Sequence, residues 1–186
     1  MPYFTSLPEL VSSQRLDLIP IPLHVLELVR DRHRDALDEA FCMAVAPTWM
    51  DGMEGHAALW LQRKQDTSID PSWLARAIIL RDARIIIGHM GFHFPPDARG
   101  MVEIGYTVEP GYRRMGIARE GAFALAGAAA DAGATVLRAS VSPRNLASLG
   151  VIAKLGLAEA GSQEDEKDGT ELVFEASLPL SRSEPA

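Results

Sequence analysis

Residues 102–118 read VEIGYTVEPGYRRMGIA. The segment Val102–Val108 is rich in β-branched and apolar residues and predicts a strand, which Pro110 ends. The alanine-rich segment Gly116–Ala132 predicts a helix directly after the turn. The first backbone N–H groups of a helix have no partner inside it, and the helix dipole adds positive potential there. This order of strand, turn and helix therefore predicts an anion-binding site around residues 113–118.

The side chains of the turn strengthen the prediction of an anion site. Arg113 and Arg114 bring positive charge into a chain whose formal net charge is −7. Gly116 allows a ligand to approach the backbone, and Ala118 leaves room that a larger side chain would fill. The sequence has no Gly-x-x-x-x-Gly-Lys-Ser/Thr loop, and no Gly-x-Gly-x-x-Gly follows a predicted strand. We therefore expect a phosphate-bearing ligand other than a P-loop nucleotide or a dinucleotide.

Length and composition are typical of one globular domain. The chain has 186 residues, of which 47% are hydrophobic and 23% are charged. We expect a single domain over residues 1–186, with a core at about 14–178 and flexible ends at 1–13 and 181–186. No apolar run reaches the ~18 residues that a membrane span needs, and no signal peptide is visible.

Charge and cysteine content narrow the possible partners. The chain has 18 Lys and Arg against 25 Asp and Glu, an acidic balance that argues against nucleic acid as the main ligand. The single cysteine, Cys42, has no partner for an internal disulfide, which fits the reducing cytoplasm. We expect Cys42 to fill the core of the helical region before the sheet.

The remaining segments predict one mixed α/β domain. Alternation at residues 15–20 indicates a first strand, and apolar spacing indicates one long or two short helices in 24–45 and another in 52–65. The runs 73–80 and 84–94 are typical of a hairpin. Further elements are expected downstream: strand 136–141, helix 145–155 and strand 171–178. The order of elements predicts one central, mostly antiparallel sheet with flanking helices.

The turn also matches a known signature. Arg113-x-x-Gly116-x-Ala118 resembles the (Gln/Arg)-x-x-Gly-x-(Gly/Ala) signature of the GNAT superfamily of N-acetyltransferases, whose loop holds the pyrophosphate of acetyl-CoA. The wider pattern resembles the RimJ/RimL branch of that superfamily. It is carried by three further segments: Glu103–Tyr106, Asn145–Ser148 and Lys154–Leu157. The resemblance covers about residues 14–178, including the first strand Arg15–Leu18.

The resemblance implies a GNAT fold whose middle strands splay apart to admit the pantetheine arm of acetyl-CoA as the cosubstrate. A backbone N–H near Val108 would then polarise the thioester carbonyl. Acetyl-CoA and an amine acceptor are the implied partners, without metal, nucleic acid or membrane, and a homodimer is possible by analogy. The implied cofactor-binding residues are the following: Tyr106, Thr107, Val108, Arg113, Arg114, Met115, Gly116, Ile117, Ala118, Asn145 and Ser148.

Two residues are candidates for catalysis. Direct attack needs a neutral amine, and the resemblance points to Glu103 as the base; the alternative is a solvent-facing carboxylate at a strand end. The family often has a tyrosine at the position of Ile152, so acid catalysis by tyrosine is in doubt. The resemblance instead points to Ser148 as a donor to the departing sulfur. The alternatives are a Ser148 hydroxyl that caps its own helix, and Asn145 as a helix cap, a pantetheine contact or both.

Several other residues have more than one interpretation. His89 and His93 are expected on one face of a predicted strand. Three alternatives follow for this pair: they line an acceptor pocket, one of them acts as a base, or neither has such a role. A metal site would need a third ligand beside them. We expect Glu109 at the surface, and Arg119 and Lys154 as solvated charges. The early tryptophans are expected in the core: Trp49, Trp60 and Trp73. The acidic run 164–169 is expected to be a hairpin loop.

These features favour an enzyme that transfers acetyl from acetyl-CoA to a primary amine, either a protein N-terminus or a small amine. The alternative is a GNAT-fold module that binds acyl-CoA as a sensor or assembly partner without turnover. Segment 21–75 is expected to build the acceptor side, and it carries no motif that names the acceptor.

Overall fold

The computed structural model describes residues 4–165 and 169–181, except for the side chains of residues 54 and 55. The strands are β1 (Val11–Ser12), β2 (Leu16–Pro20), β3 (Ala44–Val45), β4 (Arg76–Leu80), β5 (Ile85–Phe92), β6 (Met101–Val108), β7 (Val136–Val141), β8 (Ala158–Asp165) and β9 (Gly169–Ser177). The helices are α1 (Leu23–Arg30), α2 (Leu37–Phe41), α3 (Trp49–Gln65), α4 (Ile117–Asp131) and α5 (Leu146–Leu155). Short 3-10 turns occupy Arg34–Ala36, Pro71–Trp73 and Pro110–Tyr112.

The strands form one sheet in the order β1-β2-β4-β5-β6-β7-β9-β8, with β3 beside β5. The pairs β6–β7 and β3–β5 are parallel and the other pairs are antiparallel. The parallel pair β6–β7 is joined through α4, which crosses over between them as parallel strands require. The expected mixed α/β class with a mostly antiparallel sheet is confirmed.

The sheet opens between β6 and β7. Their pairing begins at Met101 with Val136 and ends at Glu103 with Arg138. Beyond that point β6 continues along β5, and β7 continues along β9. The two strands therefore diverge over Ile104–Val108 and Ala139–Val141, which leaves a gap in the middle of the sheet.

Helices cover both faces of the sheet and bury two apolar clusters. One cluster lies with α4 and α5 and includes Met90, Leu125 and Leu137, all fully buried. The other lies with α1, α2 and α3, and two of the expected core tryptophans, Trp49 and Trp60, belong to it. The third, Trp73, is buried in the first cluster. Burial of such large side chains stabilises each by roughly 1.5–3 kcal/mol relative to exposure.

The N-terminal segment is more ordered than expected. Thr5 N–H donates to the Ala132 carbonyl, Leu7 and Val11 are buried, and Val11 lies in β1. Arg76, itself buried, donates to main-chain carbonyls of this segment at Pro8 and Glu9. Residues 4–13 therefore pack against the domain because they carry apolar anchors. Residues 182–186 of the tail lie outside the described residues.

Two further expectations differ from the structure. Cys42 is exposed rather than in the core, because it ends α2 in a left-handed conformation with φ +51°. Strand β8 was not expected, since its sequence AEAGSQED lacks apolar alternation. It forms the outer edge of the sheet and is largely exposed, so its residues need no buried face.

The predicted hairpin loop at 164–169 falls partly on residues 166–168, which lie outside the described residues. The pairing of Asp165 with Gly169 places its flanks at the β8–β9 connection. No helix in the described part of the chain is long and apolar enough to cross a membrane.

Candidate active site

A cavity of about 1170 Å³ lies beside the gap in the sheet, between the ends of β6, α4 and α5. Its lining comprises Tyr106, Thr107, Val108, Tyr112, Arg113, Arg114, Gly116, Ile117, Ala118, Arg119, Asn145, Ala147, Ser148, Gly150, Val151 and Lys154. The lining thus includes every predicted cofactor-binding residue except Met115. The side chain of Met115 is half exposed, and its carbonyl accepts a bond from the Arg15 side chain.

The start of α4 has the properties of an anion site. Gly116 precedes the helix with φ +79°, a left-handed conformation that favours glycine. No side-chain hydrogen bond caps the first turn within the described residues. The first amides of α4 consequently remain available at a cavity that Gly116, Ile117 and Ala118 all line.

Two arginines hold this loop in place. Arg113 Nε donates to the Val108 carbonyl at 2.8 Å, which fixes the turn to the end of β6. Arg15 donates from Nη2 to the Met115 carbonyl at 2.9 Å and forms an ion pair with Glu120 at 2.7 Å. From the sequence, Arg15 was expected only as part of the first strand. Arg15 stabilises this loop because the turn before β2 contacts the start of α4. No local sequence pattern indicates this contact.

The backbone of β6 faces the gap at alternate residues. Glu109 N–H donates to the Ile87 carbonyl, and His93 N–H donates to the Glu103 carbonyl. In an antiparallel pair, residues alternate between bonding to the partner and facing away from it. With the observed register, Tyr106 and Val108 direct their main-chain polar groups away from β5 and towards the gap. These groups can pair with an extended chain that enters the gap like an added strand.

The opposite wall of the cavity is α5. The Asn145 side chain accepts a hydrogen bond from Ser148 N–H at 3.1 Å, so Asn145 is the cap of this helix. Burial raises the pKa of the Tyr106 phenol, and interaction with the Ser148 hydroxyl works in the opposite direction. Ile152, at the position where the family often has tyrosine, is buried in the core. The cavity lining thus includes the hydroxyl-bearing residues Tyr106 of β6 and Ser148 of α5.

Glu103 is held on the other face of β6. Ser140 Oγ donates to Glu103 Oε1 at 2.6 Å, and His93 Nδ1 lies 3.9 Å from the same oxygen. The Glu103 side chain is 19% exposed, which differs from the alternative of a freely solvated carboxylate. The 1170 Å³ cavity is lined by Thr107 on this face but not by Glu103.

The space between Glu103 and Thr107 is covered by side chains from two other elements. A Cβ at Gly105 would lie 2.9 Å from His93 Nε2, so the His93 ring lies directly over this part of β6. A Cβ at Gly52 of α3 would lie 3.1 Å from Thr107 Cγ2. The face of β6 that carries Glu103 therefore packs against α3 on one side and against the partly exposed His93 ring on the other.

The two histidines predicted on one face differ in environment. His89 is buried between Trp49 and Trp60, with ring centroids 6.4 and 5.2 Å away. Burial, aided by His56, lowers the pKa of His89 to about 3, so His89 is neutral at pH 7. Burial also lowers the pKa of His93, and Arg63 and His56 add to this while Glu103 opposes it. Among the described residues no group of three His, Cys, Asp or Glu could hold a metal ion.

Glu109 is buried, against the expected surface position. It is 6% exposed and accepts hydrogen bonds from the Thr48 N–H and hydroxyl at 3.3 and 2.6 Å. The turn after β6 packs against the residue that precedes α3, a long-range contact that sequence alone does not reveal. Arg119 and Lys154, expected as solvated charges, line the cavity, and Arg119 Nε donates to the Lys154 carbonyl at 3.3 Å.

Comparison with solved structures shows the same fold. RimJ from Mycobacterium smegmatis in complex with CoA-disulfide has 20% identity and a TM-score of 0.61, covering 96% of this chain and 91% of its own. Ribosomal-protein-S5-alanine acetyltransferase from Vibrio fischeri has 15% identity and a TM-score of 0.60, with coverages of 91% and 97%. The microcin C7 self-immunity acetyltransferase MccE, in complex with acetyl-CoA and AMP, has 13% identity and a TM-score of 0.62, with coverages of 89% and 93%.

No curated protein sequence matches the chain. The model of the acetyltransferase (GNAT) domain matches residues 25–158, which is most of the chain and includes the gap, the loop before α4 and the whole of α5. The fold, with its gap beside an uncapped helix, agrees with this match. The chain therefore belongs to the GNAT family and is an acetyl-CoA-dependent N-acetyltransferase.

Proposed function

We propose that the chain transfers the acetyl group of acetyl-CoA to a primary amine, a protein N-terminus or a small amine, by direct attack on the thioester. One observation carries this proposal. The uncapped start of α4 and the outward-facing main chain of Tyr106 and Val108 lie along one cavity, and Thr107 connects that cavity to the face that holds Glu103.

The donor half of the reaction is assigned to main-chain groups. The amides at the start of α4, supported by Arg114, bind the pyrophosphate as a charge-assisted set of donors. The backbone of Tyr106 and Val108 pairs with the amides of the pantetheine arm. The Val108 N–H then stabilises the negative charge that develops on the thioester oxygen during attack.

Glu103 is the proposed base. The attacking group must be a neutral amine, although an alkylammonium ion has a pKa near ~10, so its proton must be accepted at the site. Ser140 fixes the Glu103 carboxylate by donating to Oε1, which leaves Oε2 for the ammonium proton or for a water that relays it.

Ser148 is the proposed donor to the departing thiolate. Its N–H donates to the Asn145 side chain, and Ser148 itself lines the cavity beside the gap. The Tyr106 hydroxyl is buried, and no hydrogen bond of good geometry reaches it from the described residues. It therefore supports Ser148 in this role. A thiol is a good leaving group, so one weak donor suffices.

The class of acceptor is proposed from the activities of the similar solved structures. RimJ and the ribosomal-protein-S5-alanine acetyltransferase favour a protein N-terminus over a small amine. The cytoplasmic location, the lack of nucleic-acid binding and the homodimer remain predictions of the sequence.

The test is thiol release from acetyl-CoA in the presence of an amine panel, with CoA affinity measured separately by calorimetry. We expect CoA binding together with amine-dependent thiol release, and mass spectrometry should find the acetyl group on the amine nitrogen. CoA binding with no amine-dependent release from any small amine or peptide N-terminus would instead indicate the non-catalytic acyl-CoA sensor.

A further inference from the structure

Arg63 lies in the last turn of α3, near Glu103, and is unusually placed for an arginine. Its Nε is buried and has no hydrogen-bond partner among the described residues. Most buried guanidinium N–H groups are satisfied, because an unpaired one loses its hydration without compensation. None of the Arg63 guanidinium nitrogens donates a hydrogen bond within the described residues, so the group has capacity to bind the acceptor atoms of a ligand.

The Arg63 guanidinium lies over an aromatic ring. Its Cζ lies 4.0 Å from the centroid of the Phe94 ring. Phe94 is 49% exposed, so this contact stands at the surface beside the site rather than in the core. Stacking holds the flat face of a guanidinium and leaves its N–H edge free for in-plane recognition of a carboxylate.

The electrostatic surroundings favour an anion at Arg63. Burial lowers the pKa of Arg63, whereas the negative charge of Glu103 raises it. The two side chains therefore interact electrostatically. The Arg63 charge also lowers the pKa of His93, whose Nδ1 lies 3.9 Å from Glu103 Oε1. His56 also acts on His93, so the facing groups are Arg63, His56 and Glu103. The acceptor side therefore presents a negative group for an ammonium and a positive group for an anion.

We propose that Arg63, stacked on Phe94, is a specificity residue that binds an anionic group of the acceptor, so that the preferred substrates are α-amines that also carry a carboxylate. This proposal rests on the proposed function, since Glu103 receives the amine end of the same molecule. The carboxylate comes from either the main chain of a free amino acid or an acidic side chain next to a peptide N-terminus.

The experiment compares acceptors that differ by one charge. One pair is serine and serinamide, and the other is the amidated tripeptides Ser-Asp-Ala and Ser-Asn-Ala. Wild type, Arg63→Gln, Arg63→Lys and the control Arg30→Gln are assayed with each. Arg30 is an exposed arginine of α1 that is paired with Asp31, so its replacement makes the same charge change away from the site.

In wild type we expect the charged member of at least one pair to have a kcat/KM about tenfold or more higher, mainly through KM, as for a charge-assisted contact. The pair that shows the preference identifies the source of the carboxylate. Arg63→Gln should reduce the preference to about twofold or less, and Arg63→Lys should restore part of it, because charge survives but the planar edge does not. Arg30→Gln should leave it unchanged.

A binding measurement separates this proposal from the proposed function. N-acetylserine and N-acetylserinamide are titrated into the protein saturated with CoA, which requires no turnover. Tighter binding of the acid in wild type, lost in Arg63→Gln, supports the anion subsite even if no amine is acetylated. The N-acetylated forms of the amidated Ser-Asp-Ala and Ser-Asn-Ala tripeptides are titrated in the same way. Equal or absent binding within both pairs, or a preference that persists in Arg63→Gln, overturns it.

Discussion

The two faces of β6 are built in different ways. On the donor face, the residues that line the cavity come from two stretches of chain, within residues 106–119 and within residues 145–154. On the acceptor face, Glu103 meets Ser140 of β7 and His93 after β5, and it acts electrostatically on Arg63 of α3. In the proposed function the donor face binds acetyl-CoA, the cosubstrate of the whole family, mainly through backbone groups of these two stretches. The acceptor face is assembled from distant segments, and these can vary without disturbing the donor face.

This difference predicts that the two faces can be disabled separately. Gly116→Glu should disable the donor face. The substitution places a side chain at φ +79°, at a cost of about 1–2 kcal/mol, and a negative charge at the anion site. The Kd for CoA, measured by calorimetry, should rise about 100-fold or more, which corresponds to at least ~2.7 kcal/mol.

Gly127→Glu is the matched control for that substitution. Gly127 lies in the same helix, and a Cβ there meets nothing within 4 Å. Both variants should give helical circular dichroism spectra, and Gly127→Glu should keep the wild-type Kd. Wild-type CoA affinity in a folded Gly116→Glu variant would remove the loop before α4 from the donor site.

Glu103→Gln should disable the acceptor face alone. Loss of a general base typically costs about 10²- to 10⁴-fold in rate, and the loss in kcat should be largest at low pH, where the amine is most protonated. The Kd for CoA should stay within about twofold, because Glu103 does not line the cavity. Glu159→Gln, an exposed change on β8, is the control. A kcat equal to wild type at every pH would exclude Glu103 as the base.

His89 gives a stability test of the acceptor face, because it is buried on that side of β5. Its pKa of about 3 in the folded protein lies below the ordinary value near 6.5, so the unfolded chain binds the extra proton as the pH falls. The free energy of unfolding should therefore decrease from pH 7 to pH 5 by up to about 2 kcal/mol from this residue.

In His89→Leu this contribution should disappear. Urea unfolding of both proteins gives the free energy of unfolding at pH 7 and at pH 5. The difference between the two pH values is compared, because the change in packing affects both values equally and cancels. An identical decrease in the two proteins would show that His89 is not the group whose protonation destabilises the fold.

The smallest effect is expected from Ser140→Ala. It removes the 2.6 Å hydrogen bond to Glu103 Oε1 without touching the cavity. Since a hydrogen bond to a charged group is worth about 1.5–3 kcal/mol at most, part of which water replaces, kcat should fall by about 5- to 10-fold. Ser140→Thr should restore most of the rate. A pH profile of kcat that moves in Ser140→Ala but not in Ser140→Thr would mark Ser140 as a positioning residue for Glu103.

Most of the donor face could be predicted from sequence because its physics is local. The strand ending at Val108, the turn and the start of α4 follow one another directly, and their propensities agree with the geometry that binds an anion. The same holds for Asn145, which caps α5 three residues before its partner Ser148.

Tertiary structure alone decided which distant groups meet. The contact of Glu109 with Thr48, the hydrogen bond from Arg15 to Met115 and the contact of Arg63 with Phe94 join residues that are 31 to 100 positions apart, across separate elements. Hydrophobic patterning specifies which face of a strand or helix is buried, but it does not specify which polar side chains lie across the interface. The exposed edge strand β8 shows the converse, because a strand without a buried face leaves no apolar pattern in the sequence.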